Sequence, residues 1–221
     1  EIGVRLVGSE MCIRDSVKTA RNASEIAFLD FAARACYNLE NITKESPMIY
    51  YQDEAITIRD LCEADAETIA REEVLQGWLG ASPEKYRMRL RDRDAGKAIA
   101  LAADFHGNVA GYINVYPDAQ TGAFGGKGLP EIVDFGVLEK FRRRGVGSRL
   151  MDVAETIAAR YADTVYLGIG LHSGYGAAQR MYVKRGYIPD GSGVWYKDRV
   201  CESYTPCEND DDLVLYLSKR L

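Results

Sequence analysis

Glu131-Ile-Val-Asp-Phe-Gly-Val-Leu-Glu-Lys-Phe-Arg-Arg-Arg-Gly-Val-Gly-Ser-Arg-Leu-Met151 reads as a strand, a glycine turn and the start of a helix. Ile132, Val133, Phe135 and Val137 supply the β-branched and aromatic content of a strand. From Val146 onward apolar residues return at Leu150, Val153, Ala154, Ile157 and Ala158, the three-to-four spacing of a helix with one buried face. A strand leading through a tight turn into a helix is the unit of an α/β chain, and the other segments can be placed around it.

The turn carries an electrostatic conflict. A helix amino end holds about half a positive charge, so each basic side chain there costs roughly 0.3–1 kcal/mol. Yet Lys140, Arg142, Arg143 and Arg144 all precede Gly145 and Gly147. An anion seated on the free N–H groups would remove the conflict, and the glycines would let it approach the backbone. The charge pattern fits two readings, a phosphate cradle from Arg142 to Ser148 or a solvated basic turn.

Outward from this unit the chain alternates strands and helices. Ala55–Arg59 reads as a strand and Asp60–Val74 as a helix with Leu61, Ala64, Ile69 and Ala70 inward. Ser82 is a good cap and Pro83 a good first residue for a helix running to about Arg93. Ala98–Phe105 and Val109–Tyr116 are strands joined by His106-Gly-Asn108, a hairpin signal. The stretch from Pro117 to Pro130 holds four glycines and is expected to be a flexible lip. Strand Thr164–Leu171, helix Gly176–Lys184, strand Gly193–Lys197, an acidic loop and strand Leu213–Leu217 complete the order.

A chain of 221 residues is normally one core, with or without an appendage. A net charge of −5 leaves little room for a large basic face, so a nucleic-acid partner is not expected. No apolar run approaches the roughly 20 residues of a membrane span and no secretory leader is recognisable, so no membrane partner is expected and the cytoplasm is the expected location. Cys12, Cys36, Cys62, Cys201 and Cys207 are irregularly spaced, and with two histidines no zinc-type ligand set assembles, so no metal is expected. Cys201 and Cys207 are expected as free thiols.

Residues 1–47 differ from the rest and are expected to be a non-native extension. Val7-Gly-Ser-Glu-Met-Cys-Ile-Arg-Asp-Ser16 resembles a translated sequencing adapter, so residues 1–16 are not expected to belong to the fold. Residues 17–39 have helical spacing. Lys44-Glu45 can be encoded by a purine run resembling a ribosome-binding site ahead of Met48, where translation is expected to begin. The domain is therefore expected over 48–221.

Arg142-Arg-Arg-Gly-Val-Gly147 resembles the pyrophosphate signature of the GNAT family of acetyl-CoA-dependent N-acetyltransferases, Gln or Arg followed by x-x-G-x-G/A. Tyr175-Gly-Ala-Ala-Gln-Arg-Met-Tyr-Val-Lys-Arg-Gly-Tyr187 resembles that family's later helix pattern, with Tyr175 where Asn is frequent. The resemblance extends over 55–217. It implies an α/β (α+β) fold with a mixed central sheet of about six to seven strands flanked by about four helices. It further implies acetyl-CoA as cosubstrate, held by Val137, Leu138, Arg142, Arg143, Arg144, Gly145, Val146, Gly147, Ser148 and Ala178. Tyr182 stands where the family's tyrosine commonly protonates the departing thiolate, and Glu131, eleven residues before Arg142, where histone-type members carry a catalytic glutamate.

The chemistry agrees with those roles. A phenol of pKa about 10 can protonate a thiolate whose acid is near 8.5. An alkyl amine is neutral in only about one molecule per thousand at pH 7, so attack needs a base. Glu131, Asp134 or a water is the candidate, and strand alternation puts Asp134 on the face opposite Glu131 unless a bulge intervenes. The acceptor is expected to be an amine of a small molecule or protein. Glu202, Glu208, Asp210, Asp211 and Asp212, near Trp195, Tyr196 and Tyr204, form either a cation-receiving wall or a solvated loop. The oligomeric state stays open, a homodimer included. Two other readings are carried. Gly168-Ile-Gly170 suggests a dinucleotide site but lacks its third glycine at Ser173, and a GNAT-like module can bind acyl-CoA without turnover.

Overall fold

The quoted strand, Glu131–Val137, takes the middle of a mixed sheet as β5 in the computed structural model, which describes residues 46–78 and 80–221. Before it come β1 (Ile49–Gln52), β2 (Ile56–Asp60), α1 (Glu63–Leu75), α2 (Pro83–Asp94), β3 (Ile99–Phe105) and β4 (Asn108–Tyr116). After it come α3 (Val146–Ala158), β6 (Thr164–Gly170), α4 (Gly176–Lys184), β7 (Ile188–Tyr196), β8 (Arg199–Val200) and β9 (Leu213–Arg220). These elements belong to a compact unit spanning Pro47–Leu221. The expectations placed on residues 1–45 lie outside the described residues.

The strand order is β1-β2-β3-β4-β5-β6-β9-β7-β8, and β5 with β6 is the parallel pair. Four helices flank nine strands among the described residues, against the six or seven strands expected. The additions are short edge pieces: β1 has four residues and β8 two, too few for a periodic signal. β7 begins at Ile188 rather than Gly193, because Gly191 and Gly193, at φ 86° and 88°, kink the strand.

One face of the sheet carries α3 and α4. The predicted apolar stripe is buried as expected, with Leu150, Ala154 and Ala158 packed on Ile113, Val115, Ile132, Val165 and Leu167. Burying a leucine of this kind contributes about 2 kcal/mol, and truncating it to alanine costs about 2–5 kcal/mol. The opposite face carries α1 and α2, whose Ile69, Ala70, Tyr86 and Leu90 pack on Ala100, Ala102 and Tyr112.

Leu61, Ile69 and Ala70 are buried as expected, and α1 departs from the expected inward set at its first turn. Ala64 is exposed while Asp65 and Ala66 are buried. Asp65 is drawn inward because it accepts the Cys62 N–H at 2.7 Å and pairs with Arg59 at 2.7 Å, and Arg59 in turn reaches Asp104 at 2.8 Å. The β3–β4 hairpin turns as predicted, with His106 and Gly107 at φ 48° and 75°, the left-handed pair of a type I′ turn.

Two departures from regularity shape the centre. β5 and β6 share one register pair, Glu131 with Tyr166, at the amino end of β5. Beyond it β6 pairs with β9 along its length and β5 with β4, so β5 and β6 part toward their carboxyl ends and leave a wedge. The second departure is a bulge. Between Tyr112 and Asn114, β4 advances two residues while β5 advances three, from Val133 to Gly136, and Asp134 takes φ 50°.

The stretch 117–130 is folded onto the sheet rather than forming a bare flexible lip. Phe124 lies 4.8 Å from the Tyr166 ring, and Gly126 N–H donates to the Ala119 carbonyl at 2.9 Å. Gly122 is required there, since a Cβ would meet the Tyr216 hydroxyl at 2.4 Å.

Candidate active site

The glycine turn is held by its own side chains. Arg142 pairs with Glu139 at 3.2 Å and lies over the Trp78 ring at 5.5 Å, and Arg144 lies over Phe105 at 5.4 Å. Arg143 and Gly145 adopt left-handed backbone, φ 59° and 85°, and Gly145 is the residue capping α3. Among the described residues, no backbone N–H from Arg143 to Ser148 has an intramolecular acceptor. These free donors, the helix dipole and three exposed arginines in the same turn make up the kind of donor set a pyrophosphate requires.

Gly147 also has a packing role. A Cβ there would stand 3.2 Å from Phe135 and 3.3 Å from Val137, so its small size lets α3 approach β5. Val146 is buried and anchors the start of the helix, while Ser148 is exposed beside the free N–H groups. Leu138, also expected at the cofactor, is engaged with the sheet and the following turn. Its side chain is buried, its N–H donates to the Ala110 carbonyl and its own carbonyl accepts from Phe141. Strand alternation then turns the N–H of Val137 to the opposite edge of β5, the edge that faces the wedge.

Across the wedge stands α4. Tyr182 is 4% exposed, its ring 6.4 Å from Phe135 and 5.6 Å from Tyr187. Burial pushes its phenol well above the usual value, with the Tyr175 phenol adding in the same direction, so Tyr182 holds its proton at neutral pH. Among the described residues the hydroxyl has no hydrogen-bond partner. Ala178, half-buried on the same helix, packs against the core.

Tyr175 does something Asn would not. Its ring fills the space beside Gly170, where a Cβ would meet it at 2.3 Å, and its hydroxyl donates to Asp211 at 2.8 Å. His172 Nδ1 accepts the Gly174 N–H at 3.1 Å, which leaves the proton on Nε2 to be donated to the same Asp211 oxygen at 3.0 Å. The bond from His172, followed by that from Tyr175, holds the Asp211 carboxyl below its ordinary range. Asp211 is thus drawn to the end of β6, while Tyr204 is fully exposed. Gly168 and Gly170 lie inside β6 and yield space to the Tyr216 and Tyr175 rings, so they do not form a phosphate turn.

Glu131 lies at the closed end of the wedge. Tyr116, its partner on β4, accepts from Arg89 at 2.6 Å and donates to Asp92 at 2.6 Å, which places Glu131 on the α2 face. Its carboxyl is pushed up to about 7, first by burial and further by the charge of Asp198, against the Tyr166 hydrogen bond and the charge of Arg89. Asp134, swung onto this same face by the bulge, accepts from Arg89 Nε at 2.7 Å and pairs with Lys85 at 3.4 Å. The alternation that would separate the two carboxylates does not hold here.

The sequence did not single out Lys85, Arg89 or Tyr166. Lys85 and Arg89 are four residues apart on α2 and share a face, a spacing that signals a common target. Tyr166 gave no signal beyond its strand. Among the described residues no group of three or more His, Cys, Asp or Glu side chains is placed to hold a metal, and no helix is long and apolar enough to cross a membrane.

No curated protein matches the chain by sequence. Among solved structures it is similar to the Salmonella typhimurium acetyltransferase that modifies the N-terminal serine of ribosomal protein L7/L12, with 13% identity, TM-score 0.59, and 79% of this chain and 99% of that one covered. It is similar to Ard1 from Thermoplasma volcanium, at 21% identity and TM-score 0.56, covering 76% and 98%. It is also similar to yncA from Salmonella typhimurium, solved with its cofactor acetyl-CoA, at 16% identity and TM-score 0.54, covering 76% and 94%. Likenesses at such identity carry the fold. Residues 59–187, more than half of the chain, match the Acetyltransferase (GNAT) family, and the chain, with its basic glycine turn at the head of α3 and the parting of β5 from β6, belongs to that family.

Proposed function

We infer that the protein transfers the acetyl group of acetyl-CoA to a primary amine of a small molecule or a protein by direct attack. Acetyl-CoA supplies the acetyl group as a thioester when bound. The N–H groups from Arg143 to Ser148 receive its pyrophosphate, with Arg142, Arg143 and Arg144 compensating charge, and the Val137 N–H on the open edge of β5 is the donor for the thioester oxygen. Ala178 on α4 closes the opposite wall.

The observation that carries this reading is a pair of protonation states. Burial pushes the Glu131 carboxyl up to about 7, which suits it to take the proton an ammonium must lose near neutral pH. Tyr182 holds its proton on the other side of the wedge and can give it to the departing thiolate. Asp134 is already engaged in ion pairs with Arg89 and Lys85.

The structural relative that modifies the N-terminal serine of ribosomal protein L7/L12 supports a protein amino group as acceptor, and the shared fold is equally compatible with small amines. The test is calorimetric titration of acetyl-CoA into the protein and into an Arg144→Glu, Gly145→Glu variant, followed by thiol release against amines and peptide amino termini. Binding that the variant loses, with thiol release for at least one acceptor, is expected. Binding without release for any acceptor would favour a non-catalytic acyl-CoA module, and a folded wild type that does not bind would remove the reading.

A further inference from the structure

Tyr166 holds the carboxylate of Glu131 with a hydroxyl that has a second acceptor. Its oxygen lies 3.3 Å from Glu131 Oε2 and 3.3 Å from the Thr121 carbonyl oxygen. One O–H carries one proton, so it serves one of these acceptors well at a time. The ring is fixed, fully buried at the base of the wedge with Phe124 at 4.8 Å and Tyr216 at 6.2 Å. Only the hydroxyl rotor is free to choose.

We propose that Tyr166 is a positioning residue for the base, giving its hydroxyl proton to the carboxylate while Glu131 is ionised and turning it to the Thr121 carbonyl once Glu131 is protonated. The proposal rests on the reading of Glu131 as the base. Ionised Glu131 accepts only, so Tyr166 donates to it. Protonated Glu131 can itself donate to the Tyr166 oxygen, which frees the phenol proton for Thr121. The proton that Glu131 takes from an amine is then felt in the 117–130 stretch, which gains a hydrogen bond from the sheet, and when Glu131 gives that proton up to solvent the Tyr166 hydrogen bond reverts to the carboxylate.

The groups that face Glu131 from the surrounding elements set the background. Arg89 of α2 favours the ionised form, Asp198 of the β7–β8 turn opposes it, and Tyr216 of β9 feels the charge of Glu131 in return. Asp118, in the stretch that contains Thr121, acts on the Tyr166 phenol. Among the influences on Glu131, the Tyr166 hydrogen bond is the largest that favours ionisation, and it works against burial.

The test follows the Glu131 carboxyl directly by nuclear magnetic resonance, in the full chain carrying carbon-13 at glutamate side-chain carboxyls. The signal is assigned by its loss in Glu131→Gln. Wild type, Tyr166→Phe and Tyr166→3-fluorotyrosine are then titrated. Removing the donor should raise the Glu131 midpoint by about half a pH unit or more, whereas the more acidic fluorinated phenol should lower it. Opposite shifts support the role, because a packing effect alone would not change sign. An unmoved midpoint in both variants would overturn it, and if Tyr166→Phe does not fold, a fluorotyrosine midpoint equal to or above wild type overturns it alone. Thiol release by Glu131→Gln addresses the base separately: undiminished turnover removes the base, and the positioning role with it, whatever the titrations give.

Discussion

Glu131 and Asp134 share one face of β5, although residues three apart in a regular strand point to opposite faces, because the bulge at Asp134 adds a residue against β4. The two carboxylates nonetheless differ in surroundings. Asp134 is matched by Arg89 and Lys85, and Glu131 by burial and one phenol. Environments that push two carboxyls apart are how a site divides acid–base roles. Glu131→Gln should therefore lower kcat/KM by about 100-fold or more and erase the limb near pH 7, while Asp134→Asn keeps that limb. Profiles of kcat/KM against pH for both variants decide the matter, and a limb lost in Asp134→Asn alone reverses the assignment.

A carboxyl raised from 4.5 to about 7 also marks stability. The folded state binds the proton more tightly than the unfolded chain does. The stabilisation is therefore complete below about pH 4.5 and is lost as pH rises through about 7, amounting to about 3 kcal/mol for a shift of this size. Glu131→Gln does not titrate. Relative to wild type it should gain up to about 3 kcal/mol between pH 4 and pH 8.5, whatever its relative stability at pH 4. Urea unfolding at the two pH values checks the sign, and a parallel dependence in both proteins would show that Glu131 is not raised.

Gly145 caps α3 at φ 85° in open surroundings, the nearest atom to an added Cβ being Ile56 Cδ1 at 3.9 Å. Gly145→Ala thus introduces backbone strain of about 1–2 kcal/mol without a clash. If the turn relaxes, the N–H groups of the cradle rotate away from a common point. The expected result is a loss in acetyl-CoA affinity of about tenfold, with a drop of a few degrees in Tm. Calorimetry with acetyl-CoA separates the two effects, and unchanged affinity in a destabilised variant would mean the cap does not shape the cradle.

The sequence was most legible where local rules suffice. The apolar stripe of α3, the His106-Gly107 hairpin and the Ser82-Pro83 start of α2 are written in consecutive residues, and each occurs as expected. The bulge was not readable because it exists only as a mismatch between β4 and β5, and nothing in Asp134 or its neighbours specifies a left-handed φ. The inward turn of Asp65 depends on Arg59 and, through it, on Asp104, and the fixing of Asp211 depends on two aromatic side chains across a loop. Tyr166 was invisible for the same reason, since its neighbours Glu131, Thr121 and Phe124 are all at least 35 residues away in the chain.

Tyr182 allows a cleaner test than most buried polar residues. Truncating one usually strands its hydrogen-bond partner and costs about 1–3 kcal/mol, which confuses lost stability with lost chemistry. Among the described residues its hydroxyl has no partner to strand. Its ring contacts with Phe135 and Tyr187 are equally available to phenylalanine. Tyr182→Phe should keep Tm and acetyl-CoA affinity close to wild type while kcat falls about 10- to 1000-fold, as expected when a general acid is lost and water must protonate the thiolate. Adding a thiol acceptor in place of the amine leaves that thiolate to be protonated as before, so the deficit should persist. Undiminished thiol release by a folded Tyr182→Phe protein would remove the acid role and leave Tyr182 as packing between α4 and the sheet.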